Sequence, residues 1–238
     1  MDSKSRKNKH RSISYLYNYS LKLQEQIENM ITNYKFEDEL SNILVMALFK
    51  IAIQHHQSIL LLLNQGNDNS AGALVRPLIE ATYRGQWIIF IANVEIIQKL
   101  SIGEENFPSI SKIGKSLNEK HKATGFLTSS NNKHLHDLTH GGIEQILRMI
   151  DGLEIRTNYS VQDIDYILEE STKHMCLFFV ALGIQLDNQE FITLGSQLII
   201  EYNDKIKTEL RNVKDESFKM GDLKVQEPTM EGNENIQF

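Results

Sequence analysis

From Glu37 to Asn64 apolar side chains return at the spacing of one helical face: Leu40, Ile43, Leu44, Ala47, Leu48, Ile51, His55, Ile59 and Leu62. A strand alternates with period two and does not sustain a 3.6-residue repeat over that length, so the pattern predicts a long helix with a broad buried stripe. Ile13–Tyr34 carries the same period at Leu16, Leu23, Ile27, Met30, Ile31 and Tyr34. The Gly-Asn-Asp-Asn stretch at 66–69 is a turn signal, and short turns between long amphipathic helices favour antiparallel neighbours. Ser70 then offers an N-cap. Pro77 lies inside the next helical pattern; it has no N–H and clashes one turn back, which predicts a kink or a helix start near Arg76. That helix is expected to run toward Leu100. Residues 101–108 read as a loop, with Pro108 in the first turn of a helix carrying Ile110, Ile113, Leu117 and His121.

Downstream, helices are expected over Asn131–His140 and, past the Gly141-Gly142 interruption, over Ile143–Ile150, followed by a linker at Asp151–Asn158. Ser160 and Asp163 have the spacing of a capping box and open a helix to about Gln185; Asp187 or Asn188 caps a last helix to about Asn212. No strand pattern and no internal repeat is present. The expected fold is all-α: a helical bundle of five to seven helices in a single domain over 13–212. A basic tail at 1–12 and a polar C-terminal tail at 213–238, which lacks apolar periodicity, flank it.

Composition narrows the function classes without choosing among them. The chain has 238 residues, 41% hydrophobic and 24% charged, enough to bury a core without cross-links. The single cysteine, Cys176, excludes an internal disulfide framework and a cysteine-based zinc site; set in an apolar helical run, it reads as a buried, inert thiol. A net charge of −6 argues against a general nucleic-acid coat but leaves room for a local basic cleft. No apolar signal region follows the basic N-terminus, and no uninterrupted apolar run reaches bilayer length, so a cytoplasmic protein without a membrane contact is expected. No cofactor motif is present, and no cofactor is expected.

Three constellations carry candidate chemistry. Arg76, Glu80 and Arg84 recur every four residues through the apolar stretch Ser70–Ala92, and so share one helical face. Charged groups at core-like positions must pair or line a cleft, so this face is either a site or an ion-pair ladder. Ala81 and Gly85 keep the neighbourhood thin enough for another backbone or a ligand to approach, while Trp87 reads as core. The second constellation is His134-Leu-His136-Asp-Leu-Thr139-His140-Gly141-Gly142. His136 and His140 share a face, Glu144 would extend it, and the glycine pair can bend backbone N–H groups toward an anion. Histidine supplies acid–base chemistry near neutral pH. The third joins His55 or His56 to the later pair: His55, His136 and His140 would make three metal ligands with an open position. His55 falls on the apolar stripe and is expected to point inward.

The blocks Ala73-Leu-Val-Arg-Pro-Leu-Ile-Glu-Ala-Thr-Tyr-Arg-Gly-Gln-Trp87 and Leu135-His-Asp-Leu-Thr-His-Gly-Gly-Ile-Glu-Gln-Ile-Leu-Arg148 resemble those of an uncharacterised bacterial all-helical family, similar to the HEPN superfamily (higher eukaryotes and prokaryotes nucleotide-binding) and to related abortive-infection proteins. The resemblance covers roughly residues 40–185. It implies a helical bundle, commonly a homodimer, that binds RNA or a nucleotide, or a partner protein. It also implies metal-independent RNA cleavage in phage defence or a toxin–antitoxin pair, or else a degenerate binding and dimerisation module. The usual signature of that superfamily, an arginine, four to six residues and then a histidine, is not found here. A site would instead be assembled in space from Arg76, Glu80, Arg84 and His140. His140 would serve as the base or acid, the arginines would hold the phosphate bidentately, and Glu80 would orient an arginine. The competing enzyme class is a metal-dependent helical-bundle hydrolase or transferase built on the histidines.

Overall fold

A computed structural model describes residues 3–32, 34–35, 37–121, 139, 146–151, 154–155 and 159–220. It is an all-α structure. Among the described residues there are seven helices: α1 (Ser3–Thr32), α2 (Leu40–Asn64), α3 (Asp68–Phe90), α4 (Val94–Ser101), α5 (Ile110–His121), α6 (Val161–Gln185) and α7 (Gln189–Met220). A short hairpin interrupts the helical pattern. Ile150–Asp151 (β1) and Glu154–Ile155 (β2) pair antiparallel, Ile150 with Ile155 and Asp151 with Glu154, where a helix end and a linker were expected. Two-residue strands carry no periodic signal, so the sequence pattern could not reveal them.

The chain divides into two compact units, Met1–Tyr202 and Asn203–Phe238, so the boundary falls inside α7, which runs on past the expected end at about Asn212 to Met220. The second unit carries the C-terminal part of α7, from Asn203 to Met220. Helix α1 reaches back to Ser3 through the basic stretch in which a tail was expected.

Within the first unit α2, α3 and α6 form the centre. Helices α2 and α3 fold back on each other through the short turn Gln65–Asn67, where Gly66 takes a φ of 74°. Helix α6 packs on both, and α1 lies against α6 and α2. The aromatic core lies between these elements: Phe49 meets Phe178 edge-on at 5.0 Å, and Phe179 stacks on Phe191 at 4.9 Å.

Helix ends follow local chemistry. The capping box forms as expected: Ser160 Oγ accepts from Asp163 N at 3.2 Å, and the Asp163 carboxylate accepts from Ser160 N at 2.8 Å. Of the two candidate caps for α7, Asn188 serves, its Oδ1 accepting from the N–H groups of Glu190 and Phe191. The run toward Leu100 is broken at Ile91–Asn93, because Asn93 Oδ1 accepts from Ile96 N and starts α4 as a separate helix. Pro108 stands just before α5 rather than in its first turn; Ser109 gives its carbonyl to Ile113 N. Helix α3 runs unbroken from Asp68 through Pro77, so it starts neither at Ser70 nor at Arg76.

The face of α2 differs from the expected one. Val45, Phe49, Ala52, Ile53, His56, Ile59 and Leu60 are buried, whereas Leu40, Ile43 and Ile51 of the expected stripe are exposed. The inward histidine is therefore His56, and His55 is half-buried. With few polar residues outside Lys50, Gln54 and Gln57, the sequence of α2 fixes its inward face only loosely. Its neighbours fixed it through a buried polar chain. Ser20 Oγ lies 2.8 Å from Thr172 Oγ1, Thr172 Oγ1 3.3 Å from His56 Nε2, and His56 Nδ1 2.6 Å from Gln24 Oε1. With Nδ1–H donating to Gln24 and Thr172 donating to Nε2, every member has a partner. Gln24 Nε2 passes the chain on to the Glu28 carboxylate at 3.3 Å. By length and composition alone α2 passes the test for a membrane span, as the core helix of a bundle also does. Here its buried face packs in the bundle, and its outer face carries Lys50, Gln54 and Gln57.

Candidate functional site

Helix α3 has two faces with different work. One is core: Val75, Leu78, Ile79, Tyr83, Trp87 and Ile88 are buried, and Gly85 admits the Phe178 ring of α6 where any Cβ would stand inside that ring. The thin neighbourhood at Gly85 thus serves a helix contact, not a ligand. Trp87 is core, as its position in the pattern implied.

The other face holds the charged stripe. Arg76 Nε donates to Glu80 Oε1 at 2.8 Å, and Arg84 Nη2 donates to Glu80 Oε2 at 3.3 Å. The side chains of Arg76, Glu80 and Arg84 are 28%, 23% and 38% exposed, so the ladder is neither sealed in the core nor free in solvent. Both arginines spend one donor on Glu80, while Arg76 Nη1 and Arg84 Nε are buried and have no hydrogen-bond partner among the described residues. The Arg84 guanidinium lies over the Phe107 ring, 5.5 Å from its centroid, and Phe107 meets Trp87 edge-on at 6.1 Å. Phe107, in the loop before α5, was missed by sequence reading; an isolated aromatic beside a proline gives no periodic signal.

The second motif meets this stripe at one described residue. Thr139 Oγ1 donates to the Ala73 carbonyl at 3.4 Å. Ala73 lies four residues before Pro77, which has no N–H to give it, so proline frees the acceptor that threonine takes. Ala73 precedes Arg76 by one turn on the same side of α3. His134, His136 and His140, with Gly141, Gly142 and Glu144, lie outside the described residues. The metal set His55, His136 and His140 is therefore represented by His55 alone. His56 has both ring nitrogens engaged by Gln24 and Thr172, and burial pushes its imidazole down to about 3. Among the described residues no group of three or more His, Cys, Asp or Glu side chains stands close enough to hold a metal.

A second polar cluster, also missed, lies where α6 packs on α3. Glu170 accepts from Lys173 Nζ at 3.0 Å and has His174 Nε2 at 3.5 Å. Burial alone would raise its carboxyl; the hydrogen bond from His174 and the charge of Lys173 outweigh this and hold it at about 2. Burial lowers the His174 imidazole against the pull of Glu170, and its ring stands edge-on to Tyr83 at 5.4 Å. The sequence signal was present in Glu-Glu-Ser-Thr-Lys-His at 169–174, a polar run inside an apolar helix.

Beyond α3, the guanidinium of Arg148 pairs with Asp163 and lies over Tyr159 at 5.0 Å, which ties the end of the second motif to the cap of α6. Cys176 is buried as expected, and burial pushes its thiol up to about 12. No curated protein and no solved structure matches the chain. Residues 49–208, more than half of the chain and inclusive of both motifs, match the family of unknown function DUF6988, and the chain belongs to that family.

Proposed function

We propose that this protein is a HEPN-like, RNA-cleaving effector of bacterial phage defence or a toxin–antitoxin pair, acting as a cytoplasmic homodimer. In this reading Arg76 and Arg84 receive the scissile phosphate, and His140 moves the proton of the attacking 2′-hydroxyl or of the leaving oxygen. Cleavage of RNA by its own 2′-hydroxyl needs a base near that hydroxyl and cationic donors for the charge on the phosphorus-bound oxygens. The observation that supports the reading is the Thr139–Ala73 hydrogen bond. It brings the residue before His140 in sequence to the turn of α3 that leads into Arg76. Partly exposed arginines suit an anion that presents two oxygens, as the non-bridging pair of a phosphodiester does.

A second reading is a module that binds RNA, a nucleotide or a protein partner without cleaving it. The pairing of both arginines with Glu80 favours it, since each guanidinium already has an anion. Purified protein incubated with total cellular RNA in EDTA, with Arg84→Ala and His140→Ala alongside, separates the two. Cleavage by the wild type that is lost in both folded variants supports the nuclease. No cleavage, or equal traces in all three, overturns it in favour of the binding module.

A further inference from the structure

The Cα atoms of Arg76 and Arg84 are eight residues apart, about 12 Å along the helix axis. Their guanidinium groups nonetheless converge on the two oxygens of one carboxylate, at 2.8 Å and 3.3 Å. That arrangement is a mould for a two-oxygen anion, and the non-bridging oxygens of a phosphodiester present the same pair of acceptors. Among the described residues the stripe holds two cations against one anion, so a positive charge is left over, and a buried donor on each arginine has no acceptor there. Phe107, beneath the Arg84 guanidinium, limits the directions in which that group can turn. Glu80 itself is partly open to solvent, and pairs of that exposure are weakly held.

We propose that Glu80 is a resident anion, which keeps Arg76 and Arg84 in the shape that receives an RNA phosphodiester and gives way when the phosphate arrives; this rests on the RNA reading above. Glu80 then works against binding rather than for it. The free protein keeps its arginines ordered, and only a ligand with enough further contacts displaces the carboxylate. A lone phosphate competes poorly, so the class of ligand is a polynucleotide rather than a free phosphate ion.

The test measures binding of a fluorescein-labelled oligouridylate by anisotropy over a KCl series. The proteins are the wild type, Glu80→Gln, Glu80→Ala, Arg84→Ala and the Arg76→Ala/Arg84→Ala double variant, with inorganic phosphate as competitor. Glu80→Gln and Glu80→Ala are expected to bind about fivefold tighter, the effect of one close charge in watery surroundings. The slope of log affinity against log salt should steepen by about 0.7, as for one further phosphate neutralised on a single strand. Arg84→Ala should bind more weakly, and millimolar phosphate should displace RNA more readily from the Glu80 variants than from the wild type. If the wild type binds and the arginine variants do not, while both Glu80 variants bind equally or less well, the RNA reading stands and the resident anion is overturned. If no protein binds above the double variant, both fall. Thermal melts establish that each variant is folded.

Discussion

Thr139 Oγ1 donates its hydrogen bond to the carbonyl oxygen of Ala73, the acceptor that Pro77 leaves without an intrahelical donor. A proline inside a helix normally costs stability because one carbonyl loses its partner. Here the lost partner comes from a distant part of the chain, and the two sequence motifs are joined by the bond that results.

This linkage predicts a coupled pair of mutations. Thr139→Val should destabilise the fold by about 1 kcal/mol, the usual worth of such a bond. Pro77→Ala restores an N–H at position 77 and gives Ala73 its own partner in α3. In that background Thr139→Val should cost close to nothing. A double-mutant cycle by urea denaturation measures the difference, and additive costs would show that the proline and the threonine act independently.

The buried chain around His56 predicts acid sensitivity with a defined window. In the unfolded chain this imidazole takes up a proton near its ordinary 6.5, whereas in the fold it does so only near 3. The unfolded state therefore binds more protons over that interval, and acidification favours unfolding. The contribution is complete above pH 6.5 and is lost as the pH falls toward 3; its size is on the order of 4–5 kcal/mol at one pKa unit per 1.36 kcal/mol. His56→Leu should be less stable than the wild type at pH 7, because Gln24 and Thr172 lose their partner. Its stability should fall less steeply between pH 6.5 and 3. Chemical denaturation at several pH values checks this, and parallel profiles would exclude His56 as the sensitive group; the residual slope belongs in part to His174 and Glu170.

Gly85 predicts a steric test of the α3–α6 contact. A methyl group there would stand inside the Phe178 ring, and that ring is itself fully buried against Phe49. Gly85→Ala should destabilise the protein by about 2–3 kcal/mol in spite of alanine's better helix propensity, because overpacking outweighs the propensity gain. Phe178→Leu should recover part of the loss in the double variant while costing stability alone. Thermal unfolding of the four proteins reads this directly, and a neutral Gly85→Ala would show that the two helices part easily at this point.

Periodicity was sufficient for α2 and α6 and for α1 from Ile13 onward, where apolar repeats run over many turns, but not for the Ser3–Arg11 part of α1; residue chemistry was sufficient for the Ser160–Asp163 cap. It failed where the decisive atom lies elsewhere in the chain. Nothing local to α2 distinguishes His55 from His56, since their faces differ only by the partners that α1 and α6 bring. Phe107 joins the charged stripe only through contacts made across the bundle, to Arg84 and Trp87, and does not stand out in its own segment except as an isolated aromatic.

The sequence by itself determined the all-α class, the spacing of Arg76, Glu80 and Arg84 on one face of α3, and the burial of Cys176 and Trp87. These follow from helical geometry and hydrophobicity, which act over a few neighbouring residues. Only the tertiary structure decided that Pro77 would sit in an unbroken helix with Ala73 paired to Thr139, that His56 would face inward, and that Gly85 would serve Phe178. Each of these depends on which group from another element arrives to satisfy a donor, an acceptor or a space, and that is a property of packing rather than of local pattern.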